Sequence, residues 1–133
     1  MIKRIHHIGV AVADLAAARR FFEENFRLTS SEPESFGELG FSFVPVDGAA
    51  LELLQSTTDT GVIAKFLQKR GQGVHHITFE VDDIQAELDR LKEKGVALIN
   101  EQAYRNAHDE LVAFLHPKST YGILIELLQK DSH

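Results

Sequence analysis

Four side chains in this sequence have the types and the placement of a metal site. His7 and His76 each close a short apolar–His–His–Ile segment, Ile5-His6-His7-Ile8 and Val74-His75-His76-Ile77. Glu52 and Glu126 each open a Glu-Leu-Leu-Gln segment, residues 52–55 and 126–129. Each half of the chain therefore carries one histidine segment followed, at a similar separation, by one glutamate segment. Two imidazoles and two carboxylates suit Mn, Fe, Co, Ni or Zn, and suit Mg less well. They also leave coordination positions for water, which a substrate can displace. Glutamate is disfavoured in strands, and burying an unpaired carboxylate costs several kcal/mol, so the same cost at two equivalent positions points to a shared partner. A divalent cation is that partner.

Strand parity decides which side chains can meet. Residues 4–12 alternate with period two. Ile8, Val10 and Val12 share the face expected to meet a helix, while His7, Gly9 and Ala11 share the other. Leu51 and Leu53 turn toward the helix and leave Glu52 on the imidazole face. The second half repeats the division: Ile77, Phe79, Val81, Ile125 and Leu127 on the helix side, His76, Thr78 and Glu126 on the other. His6 and His75 have the opposite parity to the ligands and read as structural. His108 falls in a polar loop, and His116, before Pro117, stands where a pocket rim would be.

The elements that must hold these positions follow from the pattern. Asp14 is placed to cap a helix with Leu15, Ala18 and Phe22 on one face; Asp82 or Asp83 caps a second, with Ile84, Leu88 and Leu91, and Gly95 stops it. Phe21, Phe22 and Phe26 on the first helix read as core or subunit contact. Strands are expected over 38–46 and 49–55 around Asp47-Gly48, and over 97–102, 109–116 and 122–129, with residues 29–38 a loop. A helix over Thr60 to Arg70 links the halves. The fold class is α+β: two tandem βαβββ modules forming a cup-like mixed sheet, one domain over 1–133, with module 1 at about 1–57, the linker helix at about 60–71 and module 2 at about 72–130. Related by a pseudo-twofold axis, the modules would gather His7, Glu52, His76 and Glu126 in one cup.

Composition narrows the classes of function. The 133 residues include no cysteine, which removes disulfides, thiolate nucleophiles and sulfur-ligated metals and fits a cytoplasmic protein. The net charge of −6, without a basic run, argues against nucleic acid. No apolar stretch approaches membrane-spanning length, and no signal peptide is expected. Exposed strand edges favour a homodimer.

The sequence resembles the vicinal oxygen chelate (glyoxalase/bleomycin resistance/dioxygenase) superfamily, and within it the methylmalonyl-CoA epimerase branch. The resemblance is carried by Ile5 to Val12, Leu51 to Leu54, Ile63 to Gly71, Gly73 to Ile77, Val81 to Ile84, Lys94 to Val96, Ala113 to Thr120 and Leu124 to Leu127. It implies one divalent ion per chain, cobalt first, held by His7, Glu52, His76 and Glu126. It further implies interconversion of the 2R and 2S forms of an acyl-CoA, methylmalonyl-CoA, through a metal-stabilised enediolate. Glu126 would move the proton at C2. The position of the second base in some members is Gly40 here; Glu38, with the same parity, is the weak substitute. Lys118 is placed to meet the CoA or the carboxylate. Tyr104 to Glu110 and Tyr121 depart from the family pattern where substrate would enter. A glyoxalase I-type lactoylglutathione lyase and a non-catalytic ligand-binding protein are the competing readings.

Overall fold

The computed structural model describes residues 1–130, which form two compact units: one made of residues 7–75, the other of residue 76 onward with residues 1–6. The elements, in chain order, are β1 (Ile2–Ala11), α1 (Leu15–Phe26), β2 (Glu34–Phe36), β3 (Leu39–Val46), β4 (Ala49–Ser56), α2 (Val62–Arg70), β5 (Gly73–Val81), α3 (Ile84–Glu93), β6 (Tyr104–Arg105), β7 (Leu111–Leu115) and β8 (Ile125–Gln129), with a single 3-10 turn at Pro117–Ser119. The βαβββ order occurs twice. Among the described residues no helix is long and apolar enough to cross a membrane.

In the first unit the strands run in the order β2-β3-β4-β1. β1 lies parallel to β4, with Gly9 opposite Glu52, and β3 lies antiparallel to β4, with Phe43 opposite Glu52. Parallel pairing of β1 and β4 requires a crossover, which α1 and the β2–β3 hairpin provide. Helix α1 starts where expected: the Asp14 side chain accepts from the Ala17 amide at 3.0 Å. Its apolar stripe, Leu15, Ala18 and Phe22, packs with Val10, Val12, Val44, Leu51 and Leu53 on one sheet face. Phe21 and Phe26 are exposed. On the opposite face, α2 sets Ile63, Phe66 and Leu67 against Ala11, Phe41 and Leu54. The β3–β4 hairpin turns at Asp47 (φ 44°) and Gly48 (φ 86°), the two positive-φ positions of a tight two-residue turn.

The second unit repeats the plan in the order β5-β8-β7-β6. Thr78 stands opposite Glu126 in the parallel β5/β8 pair, and Phe114 opposite Glu126 in the antiparallel β7/β8 pair. Asp83 caps α3, accepting from the Ala86 amide at 3.2 Å. Val81, Ile84, Leu88, Ala113, Leu115 and Leu127 form the core beneath that helix.

Two expectations about strands need correction. Residues 97–102 do not form a strand; Leu98 makes an isolated bridge to Leu115. The segment still runs beside β7, with the Ile99 amide donating to the Phe114 carbonyl at 2.9 Å, and the Asn100 side chain adds a further bond by accepting from the Phe114 amide at 2.9 Å. Residues 29–38 are not loop throughout, since Glu34–Phe36 pairs with β3 as a short exposed strand.

Candidate metal centre

In the first unit, β1 and β4 bring His7 and Glu52 face to face: the His7 Nε2 to Glu52 Oε1 distance is 3.3 Å, and both side chains are largely shielded from water. The second unit builds the same pair from β5 and β8, with His76 Nε2 3.6 Å from Glu126 Oε1. Both distances exceed the normal range of a hydrogen bond from a ring nitrogen to a carboxylate. They suit two donors on a common ion instead, because ligands about 2 Å from a metal sit about 3 Å from one another. The donor chemistry of each pair, an imidazole nitrogen with a carboxylate oxygen, fits a divalent cation.

The neighbours of each pair are repeated as well. Phe43, opposite Glu52, presents its ring edge-on to His7 with centroids 5.9 Å apart and planes at 82°. Phe114, opposite Glu126, does the same to His76 at 6.0 Å and 82°. These rings limit the swing of the imidazoles. The glutamine that ends each Glu-Leu-Leu-Gln segment has a structural task. Gln55 Oε1 accepts from the Leu15 amide at 2.7 Å, and Gln129 Oε1 accepts from the Ile84 amide at 2.9 Å. Each thereby caps the first turn of the helix behind its sheet, tying the carboxylate-bearing strand to that helix. The recurrence of the glutamine was visible in the sequence; its task was not.

The two carboxylates stand opposite different residues. Thr78 Oγ1, fully buried, donates to Glu126 Oε1 at 2.6 Å. The residue opposite Glu52 is Gly9, which has no side chain to offer. Farther along β5 is the buried Glu80. Burial works to raise its pKa, but the Arg4 guanidinium, whose Nε donates at 2.9 Å, outweighs this together with the charges of Lys130 and Lys3, and the carboxyl is held below its ordinary range. The Tyr104 phenol on β6 is pushed up, by burial and then by the negative charge of Glu126, so it stays protonated at neutral pH.

The remaining candidates lie elsewhere. Glu38 is exposed on the β2–β3 turn; its Oε1 accepts from Thr58 Oγ1 at 2.7 Å and from Thr60 Oγ1 at 2.9 Å. Those two hydroxyls lower its pKa. Lys118 is exposed on the 3-10 turn after β7, where its amide donates to His116 Nδ1 at 3.1 Å. His116 itself is exposed and caps that turn. His75 packs edge-on against Phe66 of α2 at 5.1 Å, the structural place expected of it. His108 is exposed in the β6–β7 loop.

Comparison with known proteins assigns this arrangement to a family. The model of the Glyoxalase/Bleomycin resistance protein/Dioxygenase superfamily matches residues 6–114. The chain belongs to that superfamily. Within it, the chain is 39% identical over 129 residues to a mitochondrial methylmalonyl-CoA epimerase of Bos taurus, covering 95% of this chain and 74% of that protein. It is 37% identical to an ethylmalonyl-CoA/methylmalonyl-CoA epimerase of Cereibacter sphaeroides, covering 97% of this chain and 99% of the relative. A Streptomyces coelicolor methylmalonyl-CoA epimerase variant, solved in complex with 2-nitronate-propionyl-CoA, superposes with a TM-score of 0.90 at 30% identity, covering 99% of this chain and 100% of that one. The duplicated βαβββ modules are thus the glyoxalase-superfamily fold, and the paired histidines and glutamates lie on its strands.

Proposed function

We propose that this chain is a divalent-metal-dependent epimerase that interconverts (2R)- and (2S)-methylmalonyl-CoA by removing and returning the proton at C2. The observation that carries the reading is the repeated, shielded histidine–carboxylate pair, in a chain that is so similar over nearly its full length to epimerases of this acyl-CoA. His7, Glu52, His76 and Glu126 are the proposed ligands. In support, each unit offers an imidazole nitrogen beside a carboxylate oxygen, ligand atoms suited to such an ion. A cation bound there supplies Lewis acidity toward the thioester and carboxylate oxygens of the substrate.

The chain's own residues supply the proton chemistry. Glu126 takes the proton from C2, because its carboxylate is shielded and oriented by the Thr78 hydroxyl. Glu38 is the weaker candidate for the second carrier: exposed, and holding the 58–60 loop through two hydroxyls that lower its pKa, it is a poor acid at neutral pH. Lys118, exposed and cationic in a chain of net charge −6, is proposed to meet the CoA or the free carboxylate. Cobalt as the resident ion, a homodimer and a cytoplasmic location complete the reading; metal analysis, light scattering and cell fractionation test them.

The test is deuterium incorporation at C2 of methylmalonyl-CoA in deuterated water, followed by NMR, for metal-loaded wild type and Glu126→Gln, with metal content measured on both. Rapid incorporation by wild type that disappears in the variant at equal metal content is the expected result. No incorporation with Co, Mn, Ni or Zn refutes the epimerase reading, and the glutathione hemithioacetal of a glyoxalase I-type lyase becomes the next substrate to try.

A further inference from the structure

We infer that Thr78 is a positioning residue that fixes the Glu126 carboxylate for proton transfer, a role that builds on the one proposed for Glu126. Three observations within the second unit lead there. Thr78 is fully buried and pairs in register with Glu126 across β5 and β8, so its hydroxyl cannot turn to bulk water. That hydroxyl donates to Glu126 Oε1 at 2.6 Å, the length of a charge-assisted O–H to carboxylate bond. The same oxygen is the one nearest His76 Nε2, at 3.6 Å. The Thr78 hydroxyl therefore restrains the carboxylate oxygen that faces the imidazole, and with it the direction in which Oε2 points.

The first module shows that the strand does not require this hydroxyl. Its equivalent position is Gly9, opposite Glu52, and β1 pairs with β4 in the same parallel register without it. Valine, with threonine's shape, fits a strand interior equally well, so threonine is a choice made for the oxygen. A glutamate side chain has three rotatable bonds, and a base must sit within hydrogen-bond reach of the proton it removes. Restricting those bonds raises the fraction of time that Glu126 is aimed at C2, and this acts on turnover rather than on binding.

Thr78→Val keeps the shape and removes the hydroxyl; Thr78→Ser keeps the hydroxyl and removes the methyl group. C2 deuterium exchange, with kcat and KM separated at matched metal content, is measured for both. Alongside it, the Glu126 side-chain rotamer is read by carbon-13 NMR of glutamate-labelled protein. Thr78→Val is expected to lower kcat about tenfold or more, the worth of a charged hydrogen bond, with KM changed by less than about twofold. Its Glu126 rotamer is expected to average, while Thr78→Ser restores both signals. A Thr78→Val variant with wild-type kcat, or one whose Glu126 rotamer stays fixed, overturns the inference, as does a fall in rate that serine does not rescue. Wild-type protein without exchange refutes the epimerase reading instead, and the rotamer measurement then decides the role of Thr78 alone.

Discussion

The two modules carry the same scaffold with different linings. Along β1, the residues sharing His7's face are Gly9 and Ala11; along β5, the residues sharing His76's face are Thr78 and Glu80. The first row is small and apolar. The second is polar and tied into hydrogen bonds: Thr78 to Glu126, Arg4 to Glu80. What both modules keep is the apparatus that holds a histidine and a carboxylate on adjacent strands, including the edge-on phenylalanine and the capping glutamine. Among what differs is the hydroxyl that bears on the carboxylate of Glu126. The Thr78 bond to that carboxylate belongs to the second module, where the first has Gly9.

The sharpest way to break that comparison is to remove each carboxylate in turn. Glu126→Gln is expected to lower C2 exchange by a factor of about 1,000, in the range of a lost general base, whereas Glu52→Gln, which keeps an oxygen donor, loses less than about tenfold at matched metal content. Equal losses would mean that the modules share the proton transfer. A second comparison concerns the part they have in common. Leu53 and Leu127 are buried at equivalent places beneath α1 and α3, so Leu53→Ala and Leu127→Ala should each cost about 2–5 kcal/mol in denaturant unfolding. The glutamine caps come next: Gln55→Leu and Gln129→Leu should each cost about 1 kcal/mol, the scale of a helix cap.

The smallest effect is confined to the unit that joins residues 1–6 to residue 76 onward. Glu80 has its pKa lowered in the folded chain, so its pairing with Arg4 contributes stability above the ordinary carboxylate value and loses it as pH falls through the lowered one. Arg4→Met should therefore reduce stability at pH 7 and flatten its decline in the acid range below pH 4.5, as followed by thermal melts. A variant with an unchanged acid limb would remove Glu80 from the list of differences.

The parts of this design legible in the sequence were those with a period or a repeat. Alternation placed Val10 and Val12 against α1 and His7 on the other face; duplication singled out Glu52 and Glu126. The misreadings fell where no period exists. β2 has three exposed residues and β6 only two, too short for alternation to register, and both are defined by the strands they pair with. Residues 97–102 have the composition of a strand, yet only Leu98 completes a bridge and the Asn100 side chain takes the Phe114 amide, a detail that no propensity scale records. The β6–β7 connection is likewise set by one side chain, Asn106, whose Oδ1 accepts from the amides of His108 and Glu110 at 2.9 Å each. Thr78 could be placed on the ligand face from parity, but its bond to Glu126 depends on the register between β5 and β8, which only the structure supplies.

The Glu-Leu-Leu-Gln strand segment also has a use outside this chain. Its first residue offers a ligand, its second fills the core under a helix, and its fourth fastens that helix's first turn. Four consecutive residues thus form a self-contained cassette. Grafted onto an unrelated scaffold with a parallel strand pair and a crossover helix, it would bring its own anchorage, and a designer would need to add only a histidine on the neighbouring strand.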